Sequence, residues 1–314
     1  MTLSTALDSA RTLLFVPAAR PDRFDKALTS GADAIVIDLE DAVAPADKDT
    51  ARTAIVDWLR TRDRTTDTDT LARDSDAEAP AAVLVRTNQS DSPWFAQDVA
   101  ALAAVAKETA GTGGQGTSPA EDDHAPFGVM LPKTAEDAPL VAIRSAFREA
   151  GAGTPYLVGL LETPVGIVRA EALAQGGLVD RLAFGNYDLA LELDARVTAE
   201  EIELLHARSR VVLAARAFGM PGPIDGPCAD FSTPGATESS ATRGRDLGFA
   251  GKLAIHPRQV PVIEEKFADS AEDVDWARRV VEAAGDADGA AVSVDGKMVD
   301  APVLKRAERI LARA

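Results

Sequence analysis

The stretch Ala34-Ile-Val-Ile-Asp-Leu-Glu-Asp-Ala-Val43 passes from a purely apolar run into three acidic residues within four positions. The apolar run, residues 34–38, is short and precedes a segment with a helical pattern, so it predicts a β-strand followed by an α-helix. The acidic residues, Asp38, Glu40 and Asp41, repel one another when they are ionised. They therefore form either a solvated turn or part of a site in which a cation or hydrogen-bond donors take up their charge.

The same alternation of a short apolar run and a helix-length segment occurs eight times along the chain. It implies right-handed β-α-β units on a parallel sheet, and eight units favour a closed (β/α)8 TIM barrel over the alternative, an open doubly wound sheet. The predicted strands are residues 12–17, 34–38, 82–87, 128–133, 156–162, 181–185, 222–225 and 252–257. The predicted helices are residues 21–30, 47–60, 94–107, 136–150, 165–175, 199–217, 237–247 and 258–268.

Two polar inserts and a C-terminal extension lie outside this alternation. Residues 61–80 and 110–125 are rich in Gly, Ser, Thr and Asp and lack periodicity, so we expect flexible surface loops. Because they precede strands three and four, they should lie on the N-terminal face of the barrel, away from the chemistry. We predict a TIM-barrel catalytic domain over residues 1–268 and a C-terminal helical extension over residues 269–314.

Composition excludes several classes of protein. The 314 residues carry 33 basic and 50 acidic side chains, a formal charge of −17, which argues against binding to nucleic acid or to an anionic membrane. The single cysteine, Cys228, excludes an internal disulfide and fits a reducing compartment, so the cytoplasm is the expected location. Asp8 precedes the apolar run TLLFVPAA without a basic segment, which argues against a signal peptide, and no stretch approaches the roughly 20 apolar residues of a membrane span.

Polar residues follow each of the eight predicted strands, at the end where TIM barrels carry their catalytic groups. A single residue of this kind has a structural explanation as a helix cap, a solvated cation or a packed imidazole, but eight on one face favour a site. In strand order they are Arg20; Asp38 with Glu40 and Asp41; Arg86 and Asn88; Lys133; Glu162; Asp188; Asp225; and His256.

Two of these residues suggest a metal site. Glu162 and Asp188 follow consecutive strands, which parallel pairing places about 5 Å apart. Two carboxylates completed by water and substrate oxygens are a usual setting for Mg²⁺. Zinc is disfavoured because none of the three histidines has ligand spacing with Cys228. The structural alternative is that each carboxylate caps the helix that follows it.

Three basic residues, Arg20, Arg86 and Lys133, should converge on the same mouth of an otherwise acidic protein. They suggest a substrate that carries a carboxylate or a phosphate, with Arg86 suited to a bidentate grip or to an oxyanion. The alternative is a structural network in which they pair with the acids that follow strand two. Both can hold together, because ion pairs around a site also orient it.

Six sequence motifs are distributed, in order, over nearly the whole chain outside the two inserts. They are, in order, LLFVPAARPDRFDKALTSGADAIVIDLEDAVAPADKDTAR, VLVRTN, VMLPK, LLETPVG, LAFGNYDLALELDA and GFAGKLAIHPRQV. Together they resemble the citrate lyase beta-subunit-like and malyl-CoA lyase group of metal-dependent aldolases, in the HpcH/HpaI aldolase superfamily. The resemblance implies a TIM barrel, dependence on Mg²⁺ with Mn²⁺ as a substitute, chemistry at a carbon–carbon bond of 3-hydroxyacyl thioesters, and homotrimers or hexamers.

The resemblance also implies roles for single residues. Glu162 and Asp188 match the metal ligands of the family, and Arg86 matches an arginine that polarises the reacting oxygen. The segment GKMVDAPVLKRAERIL resembles a C-terminal motif whose aspartate, here Asp300, acts as acid or base and can come from a neighbouring subunit. The catalytic candidates are thus Arg86, Asp300 and Asp38; the substrate-binding candidates are Arg20, Lys26, Arg86, Lys133, Gly185, Asn186 and Tyr187; and Asp38, Glu40, Asp41 and His256 are expected around the metal ligands.

The resulting expectation is a Mg²⁺-dependent lyase that cleaves or forms malyl-, citramalyl- or citryl-CoA, with an acyl-CoA and a 2-oxoacid as the other partners. Alternatives are a malate-synthase-like or malyl-CoA thioesterase activity, an aldolase acting on free hydroxy-oxoacids, and a noncatalytic subunit of a lyase complex. Asn186-Tyr187 and Cys228 depart from residues that are common at these positions in the family. The acyl group therefore stays open.

Overall fold

The computed structural model describes residues 2–62, 81–110, 124–286 and 292–311. The chain forms two compact units, Met1–Glu264 and Glu265–Ala314. In the first unit eight parallel strands pair in sequence order and close on themselves, which confirms the predicted (β/α)8 barrel and excludes the open sheet. The interiors of the predicted loops 61–80 and 110–125 lie outside the described residues.

The elements follow the predicted alternation with shifts at their ends, but the predicted helix 199–217 begins only at Leu205, and the predicted helix 165–175 is divided into two helices. The barrel strands are β1 (Thr12–Pro17), β2 (Ala34–Asp38), β3 (Ala82–Arg86), β4 (Gly128–Leu131), β5 (Leu157–Leu161), β6 (Arg181–Phe184), β7 (Ile224–Asp225) and β8 (Gly251–Ala254). The helices of this unit are α1 (Leu3–Ser9), α2 (Phe24–Leu28), α3 (Lys48–Thr61), α4 (Phe95–Ala110), α5 (Asp137–Ala150), α6 (Pro164–Val168), α7 (Ala170–Gln175), α8 (Asn186–Glu192), α9 (Leu205–Ala217), α10 (Ala236–Leu247) and α11 (Val260–Phe267), the last of which crosses the boundary between the units.

The two-residue period of the strands separates an apolar centre from a polar mouth. In β2, Ala34 and Val36 belong to the packed centre of the barrel, whereas Asp38, two residues further, lines a cavity. In β3, Leu84 packs in the centre and Arg86 lines the same cavity. Because Asp38 and Arg86 are partners in the β2–β3 register, the strand ends place these opposite charges side by side.

Two helices of the barrel unit were not predicted. Helix α1 packs at the barrel centre through Leu7, its Asp8 accepts a hydrogen bond from the Tyr156 hydroxyl at 2.7 Å, and Arg181 donates to the carbonyl of Leu7. Helix α8 follows β6 directly and carries Asp188 in its first turn. Both helices have only seven residues, too few for the apolar periodicity that reveals longer helices.

Asp225 departs from its expected place among the polar residues of the mouth. Its carboxylate is fully buried and accepts hydrogen bonds from Lys252 Nζ at 2.7 Å and Arg208 Nε at 2.8 Å. It packs against α10, where a Cβ on Gly244 would lie 2.8 Å from Oδ2 of Asp225. Burial raises the pKa of Asp225, but the two cations Lys252 and Arg208 lower it by more than burial raises it. The pKa therefore lies below its usual value.

The second unit pairs helix α12 (Ala271–Asp286) with helix α13 (Ala301–Leu311) and adds a hairpin of β9 (Val292–Val294) and β10 (Lys297–Val299). Its own apolar core includes Ala277, Val280, Val299, Ala307 and Ile310. Within the described ranges no helix is both long and apolar enough to cross a membrane.

The buried Asp225 network yields a stability prediction. The substitution Lys252→Met keeps the apolar volume but leaves Asp225 with one cation, and the loss of one partner from a buried ion pair costs about 3–5 kcal/mol. The control is Arg60→Met, which breaks the half-exposed pair with Glu108 and should cost less than about 1 kcal/mol. Urea denaturation at pH 7 measures both, and equal, small losses would contradict the assignment.

Candidate active site

A cavity of about 410 Å³ opens at the carboxyl ends of the barrel strands. Its apolar wall includes the strand residues Phe15, Leu160 and Leu253 and, just after β8, Ile255. Its charged lining consists of Asp38, Asp41, Arg86, Glu162 and Asp188. The cavity is thus acidic on balance, with a single arginine inside it.

Arg86 and Asp38 form a bidentate ion pair at the base of this charged lining. Nε of Arg86 donates to Oδ1 of Asp38 and Nη2 donates to Oδ2, both at 2.7 Å. Both residues are buried, and the guanidinium carbon lies 4.8 Å from the centre of the Phe15 ring. Burial alone would lower the pKa of Arg86, but Asp38 and the neighbouring acids raise it above its usual value, so the guanidinium stays charged.

The acidic turn after β2 wraps around this arginine. Oδ1 and Oδ2 of Asp38 also accept hydrogen bonds from the backbone N–H groups of Glu40 at 2.8 Å and Ala42 at 3.1 Å. Nη1 of Arg86 lies 2.9 Å from Oε2 of Glu40, an ion pair without an aligned hydrogen bond, and Nη2 lies 3.3 Å from Oδ2 of Asp41. Burial is the main reason that the pKa of Glu40 rises to about 7, although Arg86 opposes the rise.

These contacts separate the roles that Asp38 and Arg86 can play. Each oxygen of Asp38 accepts two hydrogen bonds, so this carboxylate has no free lone pair with which to take a proton. A guanidinium has five N–H groups, and the contacts with the three acids use at most four of them. One N–H of Arg86 is left for a ligand oxygen in the cavity.

Glu162 follows β5 and is 2% exposed. Its Oε1 accepts a hydrogen bond from the backbone N–H of Lys133 at 2.9 Å, and Lys133 adopts a left-handed φ of 48°, uncommon for a residue with a side chain. A Cβ on Gly185 would lie 2.5 Å from Oε2 of Glu162, so only glycine leaves room for the carboxylate there. Burial and then the proximity of Glu40 raise the pKa of Glu162 to about 8.

Asp188 lines the same cavity from α8 and is partly exposed. Nζ of Lys133 lies 3.8 Å from Oδ1 of Asp188 and 3.9 Å from Oε1 of Glu40. Lys133 therefore contacts Glu162 through its backbone and both other acids through its ammonium. These acids come from three different strand ends.

Four sequence-predicted residues have other surroundings. Arg20 is exposed and forms a bidentate pair with Asp22, at 2.8 Å for both contacts, and Lys26 is exposed on α2. His256 accepts a hydrogen bond from the N–H of Arg258 and stacks on Phe231, with ring centres 4.5 Å apart. Asp300 belongs to the second unit, where Oδ1 accepts from the N–H of Val303 at the start of α13. The described lining of the cavity does not include Arg20, Lys26 or His256.

Gly185, Asn186 and Tyr187 line the cavity, with much of their hydrogen bonding already internal. The N–H of Gly185 donates to the carbonyl of Leu161, so this backbone donor is already used within the barrel. Nδ2 of Asn186 donates to the carbonyl of Pro227, and the Tyr187 hydroxyl accepts from the N–H of Ala229. These bonds tie α8 to the loop after β7.

The donor set of the cavity fits a hard divalent cation. Glu162 and Asp188 are carboxylates that line the same cavity, and the pKa of Glu162 is raised first by burial and then by the nearby acids Glu40 and Asp188, both of which a bound cation would offset. Among the residues that the structure describes, no group of three or more His, Cys, Asp or Glu side chains is arranged around one point. Two carboxylates completed by water or ligand oxygens are, however, sufficient for a cation of the Mg²⁺ type.

Several residues of the site had no separate signal in the sequence analysis. Of the apolar wall residues, Leu160 could have been found two positions before Glu162, but Phe15 and Leu253 lie an odd number of residues before Arg20 and His256 and had no such signal. Lys48, the first residue of α3, is buried beneath the acidic turn, and Asp98 of α4 accepts hydrogen bonds from Asn88 and Arg52. A basic residue in the first turn of a helix and an acid on an apolar helix face were the available signals.

Comparison with known proteins agrees with this geometry. The model of the HpcH/HpaI aldolase/citrate lyase family matches residues 11–110 and 117–257. The citrate lyase subunit beta of Escherichia coli is 34% identical over 318 residues, covering 97% of this chain and 93% of its own, and the (3S)-malyl-CoA thioesterase of Cereibacter sphaeroides is 30% identical over 308 residues, covering 97% and 94%.

A solved structure shows the same likeness. The crystal structure of the protein CitE from Mycobacterium tuberculosis, in complex with magnesium, acetoacetate and coenzyme A, superposes with a TM-score of 0.73 at 31% identity. The match covers 98% of this chain and 99% of that one. The family model matches most of the chain, and these relatives are at least 30% identical to it over nearly its full length. This chain therefore belongs to the HpcH/HpaI aldolase/citrate lyase family.

Proposed function

We propose that this protein is a Mg²⁺-dependent lyase that cleaves or forms the carbon–carbon bond of a 3-hydroxyacyl-CoA thioester, with an acyl-CoA and a 2-oxoacid as products. The observation that carries the proposal is the charged cavity lining, in which a fully ionised Arg86 with one spare N–H lies in the same cavity as Glu162 and Asp188. The lyase names of the relatives and the magnesium, acetoacetate and coenzyme A of the CitE complex support it.

Glu162 and Asp188 would hold the cation, with Mn²⁺ as a substitute for Mg²⁺. When bound, the cation supplies positive charge to the oxygens of the 2-oxoacid unit. Lys133 orients Glu162 through its backbone N–H and balances the charge of Asp188 and Glu40. Asp38 holds the Arg86 guanidinium in one orientation, a positioning role that replaces the direct catalytic role expected for it.

In the cleavage direction a base removes the proton of the 3-hydroxyl group and the carbon–carbon bond breaks. The electron pair of this bond passes to the thioester, giving an enolate, and a proton added at its carbon completes the acyl-CoA. The oxygen of the former hydroxyl becomes the carbonyl of the 2-oxoacid. The free N–H of Arg86 donates to an oxygen on which negative charge develops, and the apolar wall of the cavity strengthens this interaction by excluding water.

Asp300 is the proposed acid or base, and a neighbouring copy of the chain is the proposed source of it. Asp38 lacks a free lone pair and Glu162 is assigned to the cation, so the barrel residues of the cavity leave this role open. We propose accordingly that residues 269–314 pack on a neighbouring subunit in a homotrimer or hexamer. The single cysteine agrees with the reducing cytoplasm as the proposed location.

A thioesterase acting on malyl-CoA is the second candidate function, favoured by the relative from Cereibacter sphaeroides. In that reaction water attacks the thioester carbon and the thiol of coenzyme A leaves with a proton. The same cavity could bind the hydroxyacid part of the substrate. An aldolase acting on free hydroxy-oxoacids and a noncatalytic subunit are further outcomes that the first experiment separates.

The first experiment is a substrate panel of malyl-, citramalyl- and citryl-CoA and of free hydroxy-oxoacids, each with Mg²⁺ or with EDTA. We expect a 2-oxoacid and an acyl-CoA from at least one thioester, with turnover lost in EDTA. Free coenzyme A with intact malate would identify a thioesterase instead. Turnover of free hydroxy-oxoacids alone, or none with any substrate, would overturn the proposed lyase function.

The metal assignment predicts the effect of two isosteric substitutions. Glu162→Gln and Asp188→Asn each remove one of two negative ligands, so calorimetric titration with Mg²⁺ should lose its saturable signal. Glu192→Gln, which changes an exposed acid on the same helix as Asp188, is the matched control and should bind Mg²⁺ as the unmodified protein does. Undiminished binding by both site variants would place the cation elsewhere.

Asp300→Asn should lower kcat by about 10²- to 10⁴-fold, the usual contribution of a positioned acid or base. The variant Arg86→Gln should be inactive for a different reason, because it lacks the oxyanion donor. If Asp300 acts in a neighbouring subunit, mixing the two inactive variants under conditions that exchange subunits restores part of the activity. An unchanged kcat for Asp300→Asn would remove this residue from the reaction.

A further inference from the structure

Lys48 is a buried lysine in an unfavourable place. It is the first residue of α3, where the helix dipole is positive, and its side chain is 5% exposed. Burial lowers its pKa, although Asp38, Glu40, Asp98 and Asp41 oppose the shift. An ammonium that carries both costs is retained only where its hydrogen bonds and surrounding charges compensate.

The ammonium of Lys48 contacts the acidic turn after β2 and the ring of Trp94. Nζ donates to the carbonyl of Leu39 and to the carbonyl of Glu40, both at 2.6 Å. The ammonium also lies 5.5 Å from the ring centre of Trp94, which precedes α4. Lys48 thus joins the first turn of α3 to two successive carbonyl groups of the acidic turn and lies close to the residue that precedes α4.

Lys48 and Asp38 bond to the same part of the turn, Lys48 through its carbonyls and Asp38 through its N–H groups. Asp38 accepts from the N–H groups of Glu40 and Ala42, whereas Lys48 donates to the carbonyls of Leu39 and Glu40. The N–H of Glu40 is therefore bonded to one charged side chain and its carbonyl to another. Held on both sides, this residue keeps one backbone orientation, and its carboxylate stays near Arg86 and Lys133.

We propose that Lys48 is a positioning residue of the active site, which acts by fixing the Glu40 carboxylate against the Arg86 guanidinium. It does not line the cavity, and its ammonium reaches the site only through the backbone of the turn. This inference rests on the proposed lyase function, in which Arg86 supplies the oxyanion donor. Glu40 in turn adds negative charge beside Glu162, so the orientation of the turn also affects the affinity of the site for a cation.

The test is a double-mutant cycle of Lys48→Met with Glu40→Gln. Because misplacement of a catalytic group by about 1 Å costs up to about a hundredfold, we expect Lys48→Met alone to lower kcat by about ten- to a hundredfold. The KM for the thioester should stay near that of the unmodified enzyme. In the Glu40→Gln background, Lys48→Met should change kcat by less than about twofold, since the residue through which it acts has already been disabled.

Lys107→Met, on the exposed part of α4, is the control and should leave kcat unchanged. A second variant, Lys48→Gln, offers the two carbonyls a neutral donor and should retain more of kcat than Lys48→Met; it also decides the question if Lys48→Met does not fold. If the effects of Lys48→Met and Glu40→Gln on kcat simply multiply in the double variant, the positioning role is overturned. An unchanged kcat in a folded Lys48 variant would overturn it as well.

The affinity for Mg²⁺, measured by calorimetry without substrate, provides a readout that needs no turnover. We expect Lys48→Met to weaken Mg²⁺ binding in the unmodified background and to have little further effect on Glu40→Gln. If the unmodified protein binds Mg²⁺ but turns over no substrate, the proposed lyase function fails and this binding cycle alone decides on Lys48. Equal weakening in both backgrounds would then refute the inference.

Discussion

The bidentate pair between Arg86 and Asp38 is the interaction on which the site depends. Two buried charges of opposite sign stand at the ends of adjacent strands, and the register of these strands places them side by side. A guanidinium buried without a partner would strongly destabilise the folded barrel, so Arg86 can occupy this buried position only with Asp38 beside it. The acidic turn then closes around the arginine because its remaining N–H groups attract Glu40 and Asp41.

This arrangement explains how an acidic protein can present a cationic donor to an anionic ligand. Three carboxylates keep the guanidinium ionised and fixed, yet geometry prevents them from using all of its N–H groups. Glu162 stands in the opposite condition, with a buried carboxylate that, among the described residues, accepts one hydrogen bond, from the backbone N–H of Lys133. The cavity thus combines an arginine whose charge is paired with carboxylates and a buried glutamate that has few hydrogen-bond donors around it.

Much of the fold and part of the site could be predicted from sequence because both follow from one periodicity. Strand ends carry the polar residues, so Asp38, Arg86 and Glu162 were found by locating the strands. Arg20 could not be placed in the same way, since it lies on a turn beyond the strand and finds a partner two residues away, in Asp22. Asp225 ends its strand facing α10 rather than the cavity, and a two-residue strand gives no alternation from which that direction could be inferred. Lys48 was overlooked because its unusual place in the first turn of a helix does not indicate its partners, which are two backbone carbonyls.

The shortness of β7 has a consequence for how the barrel stays closed. This strand pairs with β6 through a single residue pair and with β8 through two, so the backbone ladder is thinner here than between β1 and β2, which share five pairs. The salt-bridged Asp225, Lys252 and Arg208 lie at this junction and join β7, β8 and α9 through side chains. At this point of the barrel, ion pairs therefore add to a thin backbone ladder in holding the strands together. Because ionic contacts have strict geometric requirements, this junction selects a single register for the last strands, which apolar packing alone would specify less sharply.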